Sequence, residues 1–234
     1  MKAFILPLLV SSSIIGSVFG ILELKEKSVI LPDDTKLTYQ VDEKNKMNGL
    51  FTVINTSQQP LIRGSYKEDK RSGNWYCFNK DKSVFMRYNY DLNKILYLDT
   101  VAIKKATIKV LSNNKEVAEN ASISLPVCSI DQYLSLLNEE IKASIPANQV
   151  VYNRITDFEI TATLDEKNRV EYKYAYMFGD NKYERVLKPR ASKFNIDWIP
   201  AMYAGKAVAS EFRVYSQITF SQDNSRMARF NWSN

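Results

Sequence analysis

The sequence predicts an α+β protein, with an antiparallel β-rich first half followed by a small module in the order helix, hairpin, helix, strand. Three observations predict it. Short alternating or β-branched runs separated by polar turns fill the chain from about Lys25 to Val127. Ile130, Leu134, Leu137, Ile141 and Ile145 then recur at helical spacing. Phe158 to Leu164 and Val170 to Tyr176 each alternate with polar residues on either side of Asp165-Glu166-Lys167-Asn168, as the arms of a hairpin do.

In the first half, Lys36 to Val41 alternates and Leu50 to Ile54 is an apolar β-branched run. Gly73-Asn74 introduces Trp75 to Phe78, and Val84 to Tyr90 alternates aromatic with polar residues. Val101 to Leu111 alternates again and closes at the turn cluster Ser112-Asn113-Asn114-Lys115. About seven short strands at this spacing predict a small sandwich or a curled antiparallel sheet. Lys67 to Arg71 mixes both charge signs and reads as a solvated turn.

A boundary falls at Pro126 to Ser129. Ser129 fits the N-cap of a helix with Gln132 three residues on, and Pro146 ends that helix. A second helix is expected between Asn181 and Trp198, broken by Pro189 into short pieces. A last strand is expected over about Glu211 to Phe220. The resulting organisation is a leader at 1–20, a β-rich domain at 21–127, an α+β domain at 128–220 and a polar tail at 221–234. Tyr172, Tyr174 and Tyr176 share one face of a strand and are expected to pack on the helix.

Composition narrows the chemistry. Histidine is absent, which removes Ser-His-Asp and Cys-His catalysis and the commonest transition-metal ligand. Two cysteines are too few for a structural zinc site, and seven glycines form no phosphate-cradling loop. No metal, cofactor or catalytic set is expected, and the chain is read as a non-enzyme. The net charge of +6 is scattered rather than blocked, so no nucleic-acid partner is expected.

Met1-Lys2, the apolar run Ala3 to Val10 and the small residues up to Gly20 read as a signal peptide. The rival reading is an uncleaved anchor, since Ala3 to Leu22 carries no charge. Membrane contact is expected only in that second case. Either way the remainder is exported, and a periplasmic location follows. In an exported chain, Cys77 and Cys128 are a disulfide candidate. Such a bridge would contribute about 4 kcal/mol in the loop-closure account. Two buried free thiols are the alternative.

Trp198, Pro200, Ala201, Gly205, Lys206, Val208, Val214, Ile218 and Phe220 fall in the order of a known family. With the hairpin before them, the run Phe158 to Phe220 resembles the C-terminal domain of TonB-type periplasmic proteins. The resemblance covers about a quarter of the chain. The family's Asp-Gly in the hairpin is replaced by Asp165-Glu166-Lys167-Asn168, and its Pro-rich spacer has no counterpart. What it implies is a bacterial envelope protein that binds a protein partner. The last strand would be a sheet edge that an extended peptide joins, flanked by Arg213, Tyr215, Gln217 and Thr219; the alternative is an edge already covered by the N-terminal domain or the tail.

A second expectation comes from the aromatic-rich first half. A small apolar or glycan ligand would bind around Trp75, Tyr76, Phe85, Tyr88 and Tyr90, provided that the sheet curls to form a pocket.

Overall fold

The computed structural model describes residues 24–31, 33–188 and 196–221. The leader expected at 1–20, the tail from residue 222 on and the surroundings of Pro189 lie outside the described residues.

The first half is one meander. Strands β1 (Lys25–Ile30), β2 (Lys36–Val41), β3 (Met47–Ile54), β4 (Pro60–Lys67), β5 (Lys70–Phe78), β6 (Val84–Asn89) and β7 (Lys94–Leu98) pair in sequence order as a seven-stranded antiparallel sheet. The turns repeat one device. Asp42, Asn55 and Asn79 each accept from the residue three further on, which sits at φ between 59° and 71° (Asn45 60°, Gln58 59°, Lys82 71°). That is a type I turn closed by a left-handed residue. Side-chain oxygens of Asp42 and Asn55 take the loop amides that remain, at 2.9 to 3.0 Å. Each pairing from β2–β3 to β6–β7 contains one register shift. Bulges of this kind bend and twist the strands that carry them. Of the two forms expected for this half, sandwich or curled sheet, the single bulged sheet is the one adopted.

The remaining strands are β8 (Ala106–Val110), β9 (Leu125–Pro126), β10 (Ile155–Leu164), β11 (Val170–Phe178), β12 (Asn181–Leu187), β13 (Trp198–Ile199), β14 (Ala201–Tyr203), β15 (Lys206–Val208) and β16 (Ser210–Thr219). The helices are α1 (Lys115–Asn120) and α2 (Ile130–Ser144). The second main sheet has the order β12-β11-β10-β16-β8. Its strand β8 precedes residue 128, and β9 pairs with β13, so the two halves of the chain interleave.

The helix–hairpin–helix–strand module of a TonB-like domain is therefore not what forms. Among the described residues only two α-helices occur, and the protein is mostly antiparallel sheet. The second helix is replaced over Asn181–Leu187 by β12, which pairs antiparallel with β11 from Phe178↔Asn181 onward. Gly179 (φ 58°) is the first of the two residues joining them, the place where a type II′ hairpin turn favours glycine.

Helix α2 forms as its signals predict. The Ser129 side chain accepts from the Gln132 amide at 3.3 Å, and the helix stops before Pro146. Ile130, Tyr133, Leu137 and Ile141 are all but fully buried. Burial of each such side chain stabilises by about 2 kcal/mol. Tyr133 meets Trp198 and Phe212 edge-on, with centroids 5.8 and 5.4 Å away. Tyr174 and Tyr176 are buried as the alternation predicts, and the Tyr174 hydroxyl lies 2.9 Å from Ser144 Oγ at the end of α2. One hydrophobic cluster runs from Trp75, Phe85 and Met86 of the meander through α2 to β10, β11 and β16.

Candidate functional site

The site begins with a glycine. Gly64 is buried in β4, and the indole of Trp75 lies flat against the space where a side chain would be. Trp75 Nε1 donates to the Ser65 carbonyl at 3.1 Å. Phe51, Tyr66 and Tyr90 surround the indole with centroids 5.0, 5.3 and 5.6 Å away. Alternation puts Trp75 and Cys77 on the inner face and Tyr76 on the outer one, where its ring stacks with Phe78. Of the five aromatic residues expected at a ligand site, Trp75 alone lines the cavity described below. Phe85 and Tyr88 are core, and Tyr90 supports the wall from behind.

Arg71 enters this aromatic box. Its guanidinium carbon lies 4.9 Å from the Trp75 ring centroid, 5.5 Å from that of Tyr90 and 5.6 Å from that of Tyr66. Such placement is favourable for a cation, and more so once it is desolvated. The same guanidinium forms an ion pair with Asp197, the residue before β13. Burial acts to lower the Arg71 pKa, but the charge of Asp197, with Tyr90 and Tyr66, outweighs it and raises the value. Burial pushes the Tyr66 and Tyr90 hydroxyls up, with Arg71 opposing. The run Lys67 to Arg71, expected to be solvated throughout, thus ends in a half-buried charge.

Between the sheet and α2 these groups leave a cavity of about 250 Å³. The sheet side supplies Leu31, Leu37, Met47, Phe51, Val53, Ile62 and Trp75; the opposite wall is Val127, Leu136 and Ile196. Polar groups are few: Tyr66, Arg71, Cys128, Gln132 and Asp197. Gln132 is itself buried, and its Nε2 donates to Asp33 Oδ2 at 3.0 Å, tying α2 to the turn after β1.

The expected disulfide is absent. Cys77 and Cys128 are free thiols, both fully inside the protein and part of the same apolar cluster. Burial raises the Cys77 pKa to about 12 and that of Cys128 well above its ordinary range. Neither is a nucleophile in the folded state, because the thiolate is what reacts. Both thiols are expected to resist Ellman's reagent until the protein is unfolded, when two should appear. The folded Cys77 keeps its proton up to about 12 while the unfolded one loses it near 9.0, so stability is unaffected below pH 9 and declines as pH rises from there toward 12. Urea midpoints measured from pH 7 to 10 would test this, and a midpoint that climbs above pH 9 would contradict it.

The strand expected to receive a peptide is flanked on both sides over part of its length. β16 pairs with β10 throughout and with β8 over Ser210–Val214, so Arg213 faces Thr107 and lies on no edge. Tyr215, Gln217 and Thr219 lie beyond β8 and pair through β10. Arg213 pairs with Glu211 at 2.7 Å, Tyr215 donates to Glu159 at 3.0 Å and Gln217 to Asp157 at 3.0 Å.

Among the described residues, no three His, Cys, Asp or Glu side chains gather as a metal site would require, and no helix is long and apolar enough to cross a membrane. Phe51, Tyr66, Arg71 and Asp197 are the site residues that local sequence patterns miss. The aromatic density on either side of Gly64 was the available signal. Compared with protein-family models, curated proteins and solved structures, the chain finds no match.

Proposed function

We propose that this chain is an exported binding protein that holds a small, largely apolar ligand in the cavity between the seven-stranded sheet and α2, without acting on it chemically. The observation that carries the reading is the lining: ten apolar side chains converge from three parts of the chain around one compensated ion pair. Concave apolar sites with a few convergent polar groups are the usual form of small-molecule pockets. The titratable groups there support binding over catalysis. Cys128 and Tyr66 are shifted away from neutral pH rather than toward it, the opposite of what a general base or nucleophile needs. Export rests on the leader read from Met1 to Gly20.

The test is calorimetric titration of the full chain with toluene. Saturable binding is expected in the wild type. Leu136→Trp, which projects an indole from α2 into the cavity, should weaken it at least about tenfold while leaving the far-ultraviolet spectrum unchanged. No saturable binding to the wild type, or equal binding to a folded Leu136→Trp variant, would overturn the reading.

A further inference from the structure

We propose that the outer face of the seven-stranded sheet binds an extended acidic glycan in which carboxylate-bearing sugars alternate with neutral ones. This face is turned away from the cavity, so the proposal stands whatever the cavity holds. The strand register carries it. Thr38, Thr52, Arg63, Tyr76, Arg87 and Tyr97 are successive cross-strand partners and form one row across β2 to β7. The row beside it, from Val53 through Ile62, Cys77 and Met86 to Leu98, lies on the core side. Neighbours along a strand point to opposite faces, so the first row faces outward. Arg63 is exposed and Tyr97 is 48% exposed, while the other four are half-buried.

Cation and ring alternate along this row. Tyr76 stands between the two arginines, its ring stacked with Phe78 at a centroid distance of 6.3 Å, and Tyr97 stands beyond Arg87. Among the described residues, neither Arg63 nor Arg87 is held by a carboxylate or a hydrogen bond, whereas Arg71, Arg169 and Arg213 each have an acidic partner. Two strand spacings put Arg63 and Arg87 about 10 Å apart at their Cα atoms, close to the length of a disaccharide. A sugar lays its apolar C–H face flat on an aromatic ring, and its hydroxyls find partners in Thr38 and Thr52. A nucleic-acid strand carries a charge about every 3.4 Å, denser than two arginines at this spacing can match. Strands β2 to β6 are paired on both sides, so no main chain under these six residues but that of β7 is free to take up a peptide by strand addition.

The experiment is calorimetric titration of the full chain, at fixed salt, with a hyaluronan hexasaccharide, in which uronates alternate with neutral sugars. Saturable binding is expected, and the methyl-esterified hexasaccharide should bind at least about tenfold more weakly. Arg63→Gln and Arg87→Gln should each weaken binding about fivefold, the scale of one exposed Arg–carboxylate pair. Tyr97→Ser should weaken it at least about threefold. Urea midpoints of Arg63→Gln and Tyr97→Ser should match the wild type, since both side chains are exposed. No saturable binding, or equal binding of the ester, would overturn the proposal. So would wild-type affinity in both folded arginine variants. Tighter binding of an oligogalacturonate, acidic at every sugar, would overturn the alternation, and tighter binding of oligothymidylate would overturn the glycan in favour of a nucleic acid. The wild-type ranking of these probes decides the matter even if a variant fails to fold.

Discussion

Gly64→Ala is expected to destabilise the protein by about 3 kcal/mol, at the upper end of what a single added methyl costs in a packed interior. The reason is geometric. A Cβ at residue 64 would fall well inside van der Waals contact with Cδ2 and Cε2 of Trp75 and 2.7 Å from its Cγ. A flexible side chain would swing away, but this one is boxed in. Phe51, Tyr66 and Tyr90 close it on three sides, its Nε1 is held by the Ser65 carbonyl, and Arg71 covers a face. The residue is also mid-strand, paired with Phe51 of β3, and the register shift against β5 falls between Arg63 and Ser65, so the indole occupies the space that the missing side chain leaves at this irregularity. Relief should come from the ring and not from the chain: Gly64→Ala combined with Trp75→Leu should cost less than the sum of the two single changes. Denaturant titrations of the four proteins would decide it. A Gly64→Ala variant within about 0.5 kcal/mol of wild type would show that the indole is not held where the structure puts it.

Much of this architecture was legible because it is written locally. The alternation of β2 and β6, the apolar run of β3, the Ser129 cap, the apolar stripe of α2 and the tyrosine face of β11 each depend on neighbours within a few residues. What was not legible depends on distance. Asn181 to Leu187 is mixed in polarity and looked helical, yet a Gly-Asp turn and the waiting edge of β11 make it a strand. Strand β8 reaches across the chain to flank β16, and nothing within Ala106–Val110 names that partner. The reading of β16 as an edge failed over Ser210–Val214 for the same cause. The cavity was half visible: Trp75 was marked by its aromatic surroundings, but its fourth wall comes from Val127, Leu136 and Ile196, beyond any local pattern. The cysteines were misread by compartment logic alone, since two buried thiols in an apolar cluster carry no sequence mark that separates them from a bridge.

Arg71→Met is the sharper test of how the two halves are joined. The charge sits at the start of β5, 126 positions from its carboxylate partner, and the pair bridges the meander to the segment leading into β13. Removing one member of a fully buried pair costs about 3 to 5 kcal/mol. Here the Asp197 side chain keeps 37% of its exposure, so water takes up part of the loss. The expected cost is roughly 2 kcal/mol, including what the guanidinium gains from three aromatic faces. Arg71→Lys should lose most of that same energy despite keeping the charge, because an ammonium has no planar face to lay on Trp75. Arg71→Met with Asp197→Leu should recover much of it, since a pair exchanged for apolar groups of similar volume is often neutral. The three stabilities separate two accounts. If lysine rescues, the charge alone joins the halves; if only the double apolar change rescues, the Asp197 carboxylate that has lost Arg71 is the larger liability and the aromatic box the larger attraction. Loss of most of that energy in Arg71→Lys, with recovery of much of it in the double variant, is the outcome that the geometry requires.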